Sequence, residues 1–489
     1  MKPRLALLGC TALLALPGTA FADTLQQALE TAYTSNPTLT AQRANVRAAD
    51  ENVPIARAAG RPSLEGSAVY QENVLKGDQS PTLFVSDPDR QAVATLNLDV
   101  PLVQFGAVRH SVGAAKARTE ASRAGLRGTE ADLFSQVVAA YMDVIRDEAA
   151  VRLNQRNRSV IGYTLSETRD RFDVGDRGPT DVAQAEARDA LADSQLETAG
   201  ARLIASRENY IRLVGNPPGD LAPPPPLPPL PATAEDAVAI ALESNPALAA
   251  ARAETVAAQH DITVAQADGM PRLSAIGGLN RYSYLGSLSS GTGPRNRDQG
   301  TTGYVGLQLK IPIYEGGRVN AQTRQAREKY GAALEQIAAA ERETVAETRS
   351  AFANWRSAQR VIEAATGGVA ANERALTGIR AETNTGLRPL LDLLNAEQEL
   401  LNSQVTLITA ERDAYVAGFA LLAAIGRAEA RNLNFDSSLL YDPMAHYRDV
   451  EGRVIDFREP GRPDPVATGT AQTPTQDATI KAVQGPPES

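Results

Sequence analysis

The sequence predicts a mixed but mainly α-helical fold: a duplicated unit giving a long coiled-coil helical barrel plus a transmembrane β-barrel, with four strands per chain and twelve in a trimer. Three observations carry this. The chain repeats itself at a spacing of 209 to 211 residues, each copy holds a very long proline-free stretch, and each copy holds a strand pattern with all its aliphatic residues on one face. A long-period repeat decides architecture before any single element does. Ser35-Asn36-Pro37-Thr38-Leu39 returns as Ser244-Asn245-Pro246-Ala247-Leu248, and Pro62 and Leu64 return as Pro271 and Leu273, all at an offset of 209. From there the offset is 211, matching Pro101 to Pro312, Gly106 to Gly317, Tyr141 to Phe352, Gly175 to Gly386, Asp181 to Asp392, Ala185-Glu186 to Ala396-Glu397 and Gly215 to Gly426.

In chain order, residues 1–22 read as a secretory signal. Lys2 and Arg4 supply its positive end, Leu5 to Leu16 its apolar stretch, and Ala20-Phe21-Ala22 a small-x-small cleavage site. Cys10, the only cysteine, falls inside the apolar stretch, too close to the start for an ordinary acylation signal, so it is expected to leave with the leader and the mature chain to lack disulfides. The first repeat, 23–215, opens with a helix from about Thr24 to Ala59; the second, 234–426, opens with one from about Ala234 to Asp268. An Asn-Pro interrupts each near its start. Two short strands follow in each copy. Leu96, Leu98, Val100 and Leu102 alternate with Thr95, Asn97, Asp99 and Pro101; Val305, Leu307, Leu309, Ile311 and Ile313 alternate with Tyr304, Gly306, Gln308 and Lys310. Period-two alternation separates an aliphatic from a polar face. Polar turn-rich loops, roughly Gly77 to Arg90 and Gly286 to Gly300, lie between the strands.

The stretches from about Phe105 to Arg171 and from Gly317 to Glu382 lack proline and are rich in Ala, Glu, Arg and Gln. Each extends roughly 100 Å as a helix, too long for the interior of a globule. Phe134, Val137, Val138, Tyr141, Val144 and Ile145 suggest a coiled-coil seam. After a glycine-containing break, a return helix runs to about Gly215 or Gly426. In the second, Leu394, Leu401, Ile408, Tyr415 and Leu422 recur every seven residues with Val405 and Phe419 between them. Between the copies, residues 216–233 form a proline-rich, stiff, extended linker. Residues 459–489 have the composition of a disordered tail.

Composition narrows the function. The formal charge of −9, which loss of Lys2 and Arg4 takes to −11, disfavours a nucleic-acid partner. His110, His260 and His446 are far apart in sequence, and no CxxC, HxxxH, HExxH or phosphate-loop spacing occurs, so no cofactor, metal or catalytic site is expected. No later stretch is long and apolar enough for a membrane helix. The alternating strands suit a soluble sandwich or an outer-membrane barrel. Four strands have no second sheet to meet, whereas a closed membrane barrel needs at least ~8, so the barrel reading requires an oligomer, and three copies supply twelve.

Arg171-Phe172-Asp173-Val174-Gly175 leading to Thr180-Asp181-Val182-Ala183-Gln184-Ala185, and Gly386-Leu387-Arg388 leading to Asp392-Leu393-Leu394-Asn395-Ala396, resemble the paired helix-turn-helix tips of the TolC-type outer-membrane efflux proteins. The Pro101 to Gly106 and Pro312 to Gly317 joints and the Ser-Asn-Pro starts are similar too, so the resemblance spans about Thr24 to Leu440, twice over. It implies a homotrimeric, non-enzymatic exit channel of the cell outer membrane with a long periplasmic extension. It also implies an equatorial girdle, to which residues 427–458 belong. The channel would serve type I protein secretion or multidrug efflux, docking an inner-membrane transporter through a periplasmic adaptor and contacting outer-membrane lipid; the tips look closest to the secretion branch. A periplasmic coiled-coil adaptor or scaffold without a pore is the alternative.

By the same resemblance Thr180, Asp181 and Arg388 match a gate latch, and Asp392 an acidic ring at the periplasmic mouth. Val174, Gly175, Asp176, Thr385, Gly386 and Leu387 match the tip grooves that receive the adaptor. Two positions depart from the family pattern: Thr383 stands where an aromatic latch residue can occur, and Asn395 where a second acidic ring can occur. The residues alone leave a simpler reading open, in which Thr180 and Asp181 cap the return helix and the glycines end the preceding one.

Overall fold

The computed structural model describes residues 23–74, 88–287, 297–454, 461, 464–467 and 469–480. The expected signal peptide with Cys10, most of both strand-connecting loops and residues 481–489 lie outside the described residues. In the first copy three short helices, α1 (Leu25–Ser35), α2 (Pro37–Asp50) and α3 (Asn52–Ala58), lead to strands β1 (Ser63–Glu72) and β2 (Arg90–Val103). Helices α4 (Ala107–Asp173) and α5 (Pro179–Val214) complete it. The second copy contains α6 (Ala234–Ser244), α7 (Pro246–Ala267), β3 (Arg272–Ser283), β4 (Gln299–Lys310), α8 (Arg318–Asn384) and α9 (Leu390–Ala424). A single 3-10 turn at Ala430–Asn432 and a short α10 (Ala445–Val450) follow.

The Ser-Asn-Pro pair shows why the two copies share one architecture. Asn36 leaves the helical region at φ −67°, ψ 127°, and its side-chain oxygen accepts from Thr38 N at 2.9 Å, capping α2. Its amide donates to the Leu213 carbonyl at 2.9 Å, tying that cap to the end of α5. Asn245 repeats the arrangement, accepting from Ala247 N at 2.9 Å and donating to the Ala424 carbonyl at 3.2 Å at the end of α9. One amide side chain thus satisfies a helix start and a helix end at once, groups that helices otherwise leave unpaired. At the second site the approach is so close that a Cβ on Gly426, at φ +70°, would stand 2.5 Å from the Ser244 carbonyl oxygen.

The first copy differs from expectation by a further break at Glu51. Pro54 explains it, since it has no N–H to offer the Asp50 carbonyl four residues back. Thr263 holds the corresponding position of the second copy, and α7 runs through it. The long helices are continuous over 67 residues each, or roughly 100 Å. Pro312 ends β4 before Ile311 and Ile313 can extend the alternation, whereas β2 passes Pro101 through a register shift between Pro101 and Val103.

The proposed seam in α4 turns out to be something broader. Phe134, Val137, Val138, Tyr141 and Val144 are fully buried in the principal core, where α1, α5, α6, the end of α9 and residues 428–435 converge on the middle of α4. Tyr33, Phe134 and Phe435 form an aromatic cluster there, with centroids 5.4 to 6.0 Å apart. Tyr141 donates to the carbonyls of Asp23 (2.9 Å) and Ala222 (2.6 Å), pinning the chain start and the linker together. Burial pushes its hydroxyl well above the usual tyrosine range, so it remains a donor. The linker is therefore extended but not a free spacer. Leu227 and Leu230 pack on the core, and Tyr415 donates to the Pro225 carbonyl at 3.0 Å.

The tail also departs from expectation. Residues 476–480 dock on α5: Arg207 donates to the carbonyls of Asp477 (2.8 Å) and Thr479 (3.2 Å), Gln476 N donates to Glu208 at 3.2 Å, and Ile480 packs against the core. Composition suggests disorder because apolar residues are sparse, but one isoleucine and one arginine suffice to seat a short extended segment.

Asn36→Ala should lower stability by about 2 kcal/mol, since it removes a cap and strands a buried carbonyl. Asn36→Ser, which keeps the cap acceptor and loses the bond to Leu213, should cost less. Denaturant unfolding of the detergent-solubilised protein, followed by circular dichroism, measures both; equal midpoints for wild type and Asn36→Ala would make the tie dispensable.

Candidate functional site

Two surfaces stand out, one at each end of the molecule. At one end the hairpins of both copies join in a single antiparallel sheet of order β1-β2-β3-β4, with β2 against β3 linking the copies. Register places Leu64 opposite Leu98, Leu96 opposite Leu279, Gly277 opposite Val305 and Leu273 opposite Leu309, so these side chains share one face. Asn97, Asn280, Gln308 and Thr302 take the other. Leu98 (41% exposed), Leu307 (71%) and Val305 (92%) are open although aliphatic. Within this sheet β1 and β4 each pair on one side only.

At the other end lie the hairpin tips. Helix α4 ends through Gly175 at φ +82°, with Asp176 N donating to the Arg171 carbonyl at 2.8 Å. Helix α8 ends the same way through Gly386 at φ +77°, with Leu387 N donating to the Glu382 carbonyl at 2.9 Å. This six-to-one closure needs a left-handed residue after the last helical turn, which glycine supplies without a steric cost. It carries Val174 (79% exposed) and Leu387 (78%) outward at the apices, beside Asp176 and Thr385.

Thr180 and Asp181 lie in the first turn of α5, behind Gly178 and Pro179, and neither side chain caps the helix. Asp181 instead faces Arg177 at 4.0 Å. Arg388 pairs with Glu382 and, at 3.6 Å, with Asp392, both of its own hairpin. Within one protomer Arg388 and Asp392 therefore come together, and Arg388 does not pair with Asp181. Thr383 is buried and donates to the Ile379 carbonyl at 2.8 Å. Asn395 accepts from Arg188 at 2.6 Å, which joins the two hairpins, and Ile161 packs on Leu390 and Leu394 beside that bond.

Sequence reasoning missed Arg177, Arg188 and Glu382, because spacing along one chain does not say which helix faces which. A further duplicated pair was partly visible. Arg169 bridges α4 to Glu186 on α5 at 2.7 Å, and Arg380 bridges α8 to Glu397 on α9. Glu186 and Glu397 belong to the repeated Ala-Glu motif; their arginines, 17 residues upstream, carry the same 211-residue offset. Among the described residues no group of three or more His, Cys, Asp or Glu is arranged to hold a metal ion.

Comparison with known proteins agrees with this geometry. The family model for outer membrane efflux proteins matches residues 28–216 and again 237–427. The chain is 32% identical over 443 residues to the outer membrane efflux protein BepC of Brucella suis, covering 90% of this chain and 93% of that protein. It is 30% identical over 388 residues to the alkaline protease secretion protein AprF of Pseudomonas aeruginosa, covering 75% and 77%. In fold it is similar to the Campylobacter jejuni CmeC outer membrane channel, with a TM-score of 0.72 at 17% identity over 92% of this chain and 98% of that one. The outer membrane protein VceC from Vibrio cholerae gives 0.68 at 22% identity, covering 82% and 96%. These matches leave the poreless adaptor reading without support. Matched twice by the family model and nearly end to end by its relatives, the chain belongs to the outer membrane efflux proteins, which are transport proteins of the outer membrane and not enzymes.

Proposed function

We propose that three copies of this chain assemble into an exit channel, a twelve-stranded barrel in the outer membrane continued by a helical tube through the periplasm. One observation carries the reading: a four-stranded sheet with an exposed aliphatic face and a free side on both β1 and β4. In hydrocarbon every backbone N–H and C=O needs a partner, so such a sheet is satisfied only by closure. Pairing β4 of one copy with β1 of the next achieves it. Helix α8 supports the same assembly. It matches α4 in length, yet its buried residues are mostly small (Ala326, Ala333, Thr344, Thr348), and Leu334 and Val361 remain exposed along it, surface for a neighbouring copy to cover.

The names of the relatives support a reading of what the channel exports. AprF and the Dickeya chrysanthemi protein PrtF are named for protease secretion and BepC for efflux, so this channel serves type I protein secretion, multidrug efflux or both. Val174, Gly175 and Asp176, with Thr385, Gly386 and Leu387, form the surface that meets a periplasmic adaptor and, through it, an inner-membrane transporter. Thr180, Asp181 and Arg388 form the latch, with Asp181 available to a cation across the trimer interface. Three Asp392 carboxylates converge at the mouth, where a narrow pore focuses their field.

The deciding experiment is single-channel recording in a planar bilayer together with gel filtration in detergent. A trimer with discrete conductance steps supports the proposal, and a monomer without conductance overturns it.

Two further outcomes are expected. Leu98→Arg places a charge on the aliphatic face and should impair insertion by roughly 2–4 kcal/mol near the midplane, while Asn97→Arg, on the opposite face, should assemble. Outer-membrane fractionation checks both, and equal behaviour would mean the faces are misassigned. At the tip, Arg388→Ser unpairs Glu382 and Asp392. Because exposed pairs contribute only ~0.2–1 kcal/mol, resting conductance should rise by no more than about five-fold. Block by multivalent cations from the periplasmic side should strengthen in Arg388→Ser and weaken in Asp392→Asn. Unchanged block in both would move these groups away from the pore.

A further inference from the structure

The aliphatic face of the sheet changes character along its length. Near the helices its rows are Leu64, Leu98, Val100, Leu273, Leu307 and Leu309. Near the loops the same face carries Arg281, opposite Ala94 on one side and Thr301 on the other, and Arg90, four residues beyond Ala94 on β2. Ser283 and Tyr70, both in register with Ala92, place two hydroxyls between the arginines. Arg90 and Arg281 are exposed, and among the described residues neither makes an ion pair. Nearby acids are engaged otherwise. Glu72, in register with Arg90, accepts from the Tyr70 hydroxyl at 3.4 Å, and both carboxylate oxygens of Asp298 accept from Gly286 N at 2.9 Å.

Below the arginines the face is hollowed. Gly66, Gly277 and Gly303 contribute no side chain, so Leu64, Leu96, Leu98, Leu279 and Val305 border a shallow apolar depression. Leu279 leans across Gly303, and a Cβ on Gly277 would meet the Tyr304 carbonyl oxygen and Val305 at 3.7 Å and Leu98 at 3.9 Å, all ordinary contacts. An aliphatic trough topped by two cations and hydroxyls has the polarity order of a lipid, acyl chain below and anionic headgroup above. By strand geometry the two arginine Cα positions are roughly 14 Å apart, a gap that their long side chains close from both ends of a headgroup.

We propose that Arg90 and Arg281, above the depression around Gly277 and Gly303, form a site for an anionic, phosphate-bearing lipid. The site rests on the proposed membrane barrel, since only there does this face meet lipid. Guanidinium groups suit it because they bind phosphate oxygens in a planar, bidentate manner. Its effect would be to hold the barrel at a set depth and rotation beside the interface.

The test places the purified protein in nanodiscs of equal parts phosphatidylglycerol and phosphatidylcholine, and reads the lipids retained after release into detergent by native mass spectrometry. Wild type should enrich phosphatidylglycerol. Arg90→Gln and Arg281→Gln should each lower that enrichment roughly five-fold, the usual effect of one basic group at an anionic surface. Gly277→Leu, which fills the trough and leaves both arginines, should lower it as well. No enrichment in wild type, or undiminished enrichment in the double arginine variant, overturns the site. A photo-crosslinker at Leu98 separates this from failure of the barrel itself: crosslinks to lipid acyl chains in every variant keep the barrel, and their absence in all of them removes both.

Discussion

The structure depends on a single constraint, that backbone hydrogen bonds cannot be left open in hydrocarbon. Four strands are too few to close a barrel, so β1 and β4 keep a free side, which the proposed pairing between copies would meet. Much else answers to that need. The sheet must alternate strictly to hold lipid away from its polar face, and its strands must enter helices through sharp bends, which Gly106 and Gly317 make at φ +85° and +82°. The helices beyond must keep a common length, and α4 and α8 both have 67 residues.

Duplication supplies equivalent elements but not equivalent surroundings. Helix α4 is wrapped by α2, α5, α7 and α9, and its middle turns lie in the principal core. Helix α8 meets α6, α7 and α9 and stays open along much of its length. Tyr141 and Phe352 hold corresponding positions, yet Tyr141 is fully buried and pins two backbone segments, while Phe352 is half-buried beside Trp355. The copies thus divide the work, one building the fold of the protomer and the other presenting surface.

The core end is held by charges as well as by packing. Arg127 pairs with the buried Glu429 at 2.6 Å, and Glu130 accepts from Ala430 N at 2.5 Å. Burial raises the Glu130 carboxyl above its usual range, opposed by that backbone bond. Arg123 bridges the buried Asp50 at 2.8 Å and lies over the Tyr447 ring, and His446 meets Glu51 at 3.0 Å. A pair as sheltered from water as Arg123 and Asp50 contributes specificity of arrangement more than net stability. Together with the packing of Ala428, Ala430 and Phe435, these pairs dock residues after α9 against α2 and α4.

The sequence by itself determined the repeat, the element order, the aliphatic strand face and the glycine-ended tips, because each is written in local spacing: period two in a strand, period seven in α9, proline absent over two long stretches. The Ser-Asn-Pro starts were legible as helix breaks. That Asn36 and Asn245 also reach the ends of α5 and α9 was not, since those carbonyls lie 177 and 179 residues away. The candidate tip residues were legible as positions at helix ends, but their partners within one copy were decided by tertiary structure alone. Whether Arg388 faces Glu382 or Asp181, whether Asn395 meets Arg188, and whether residues 476–480 lie against α5 depend on how helices rotate and cross, and those angles are set by packing over the whole length of each hairpin, not by any residue's neighbours in the chain.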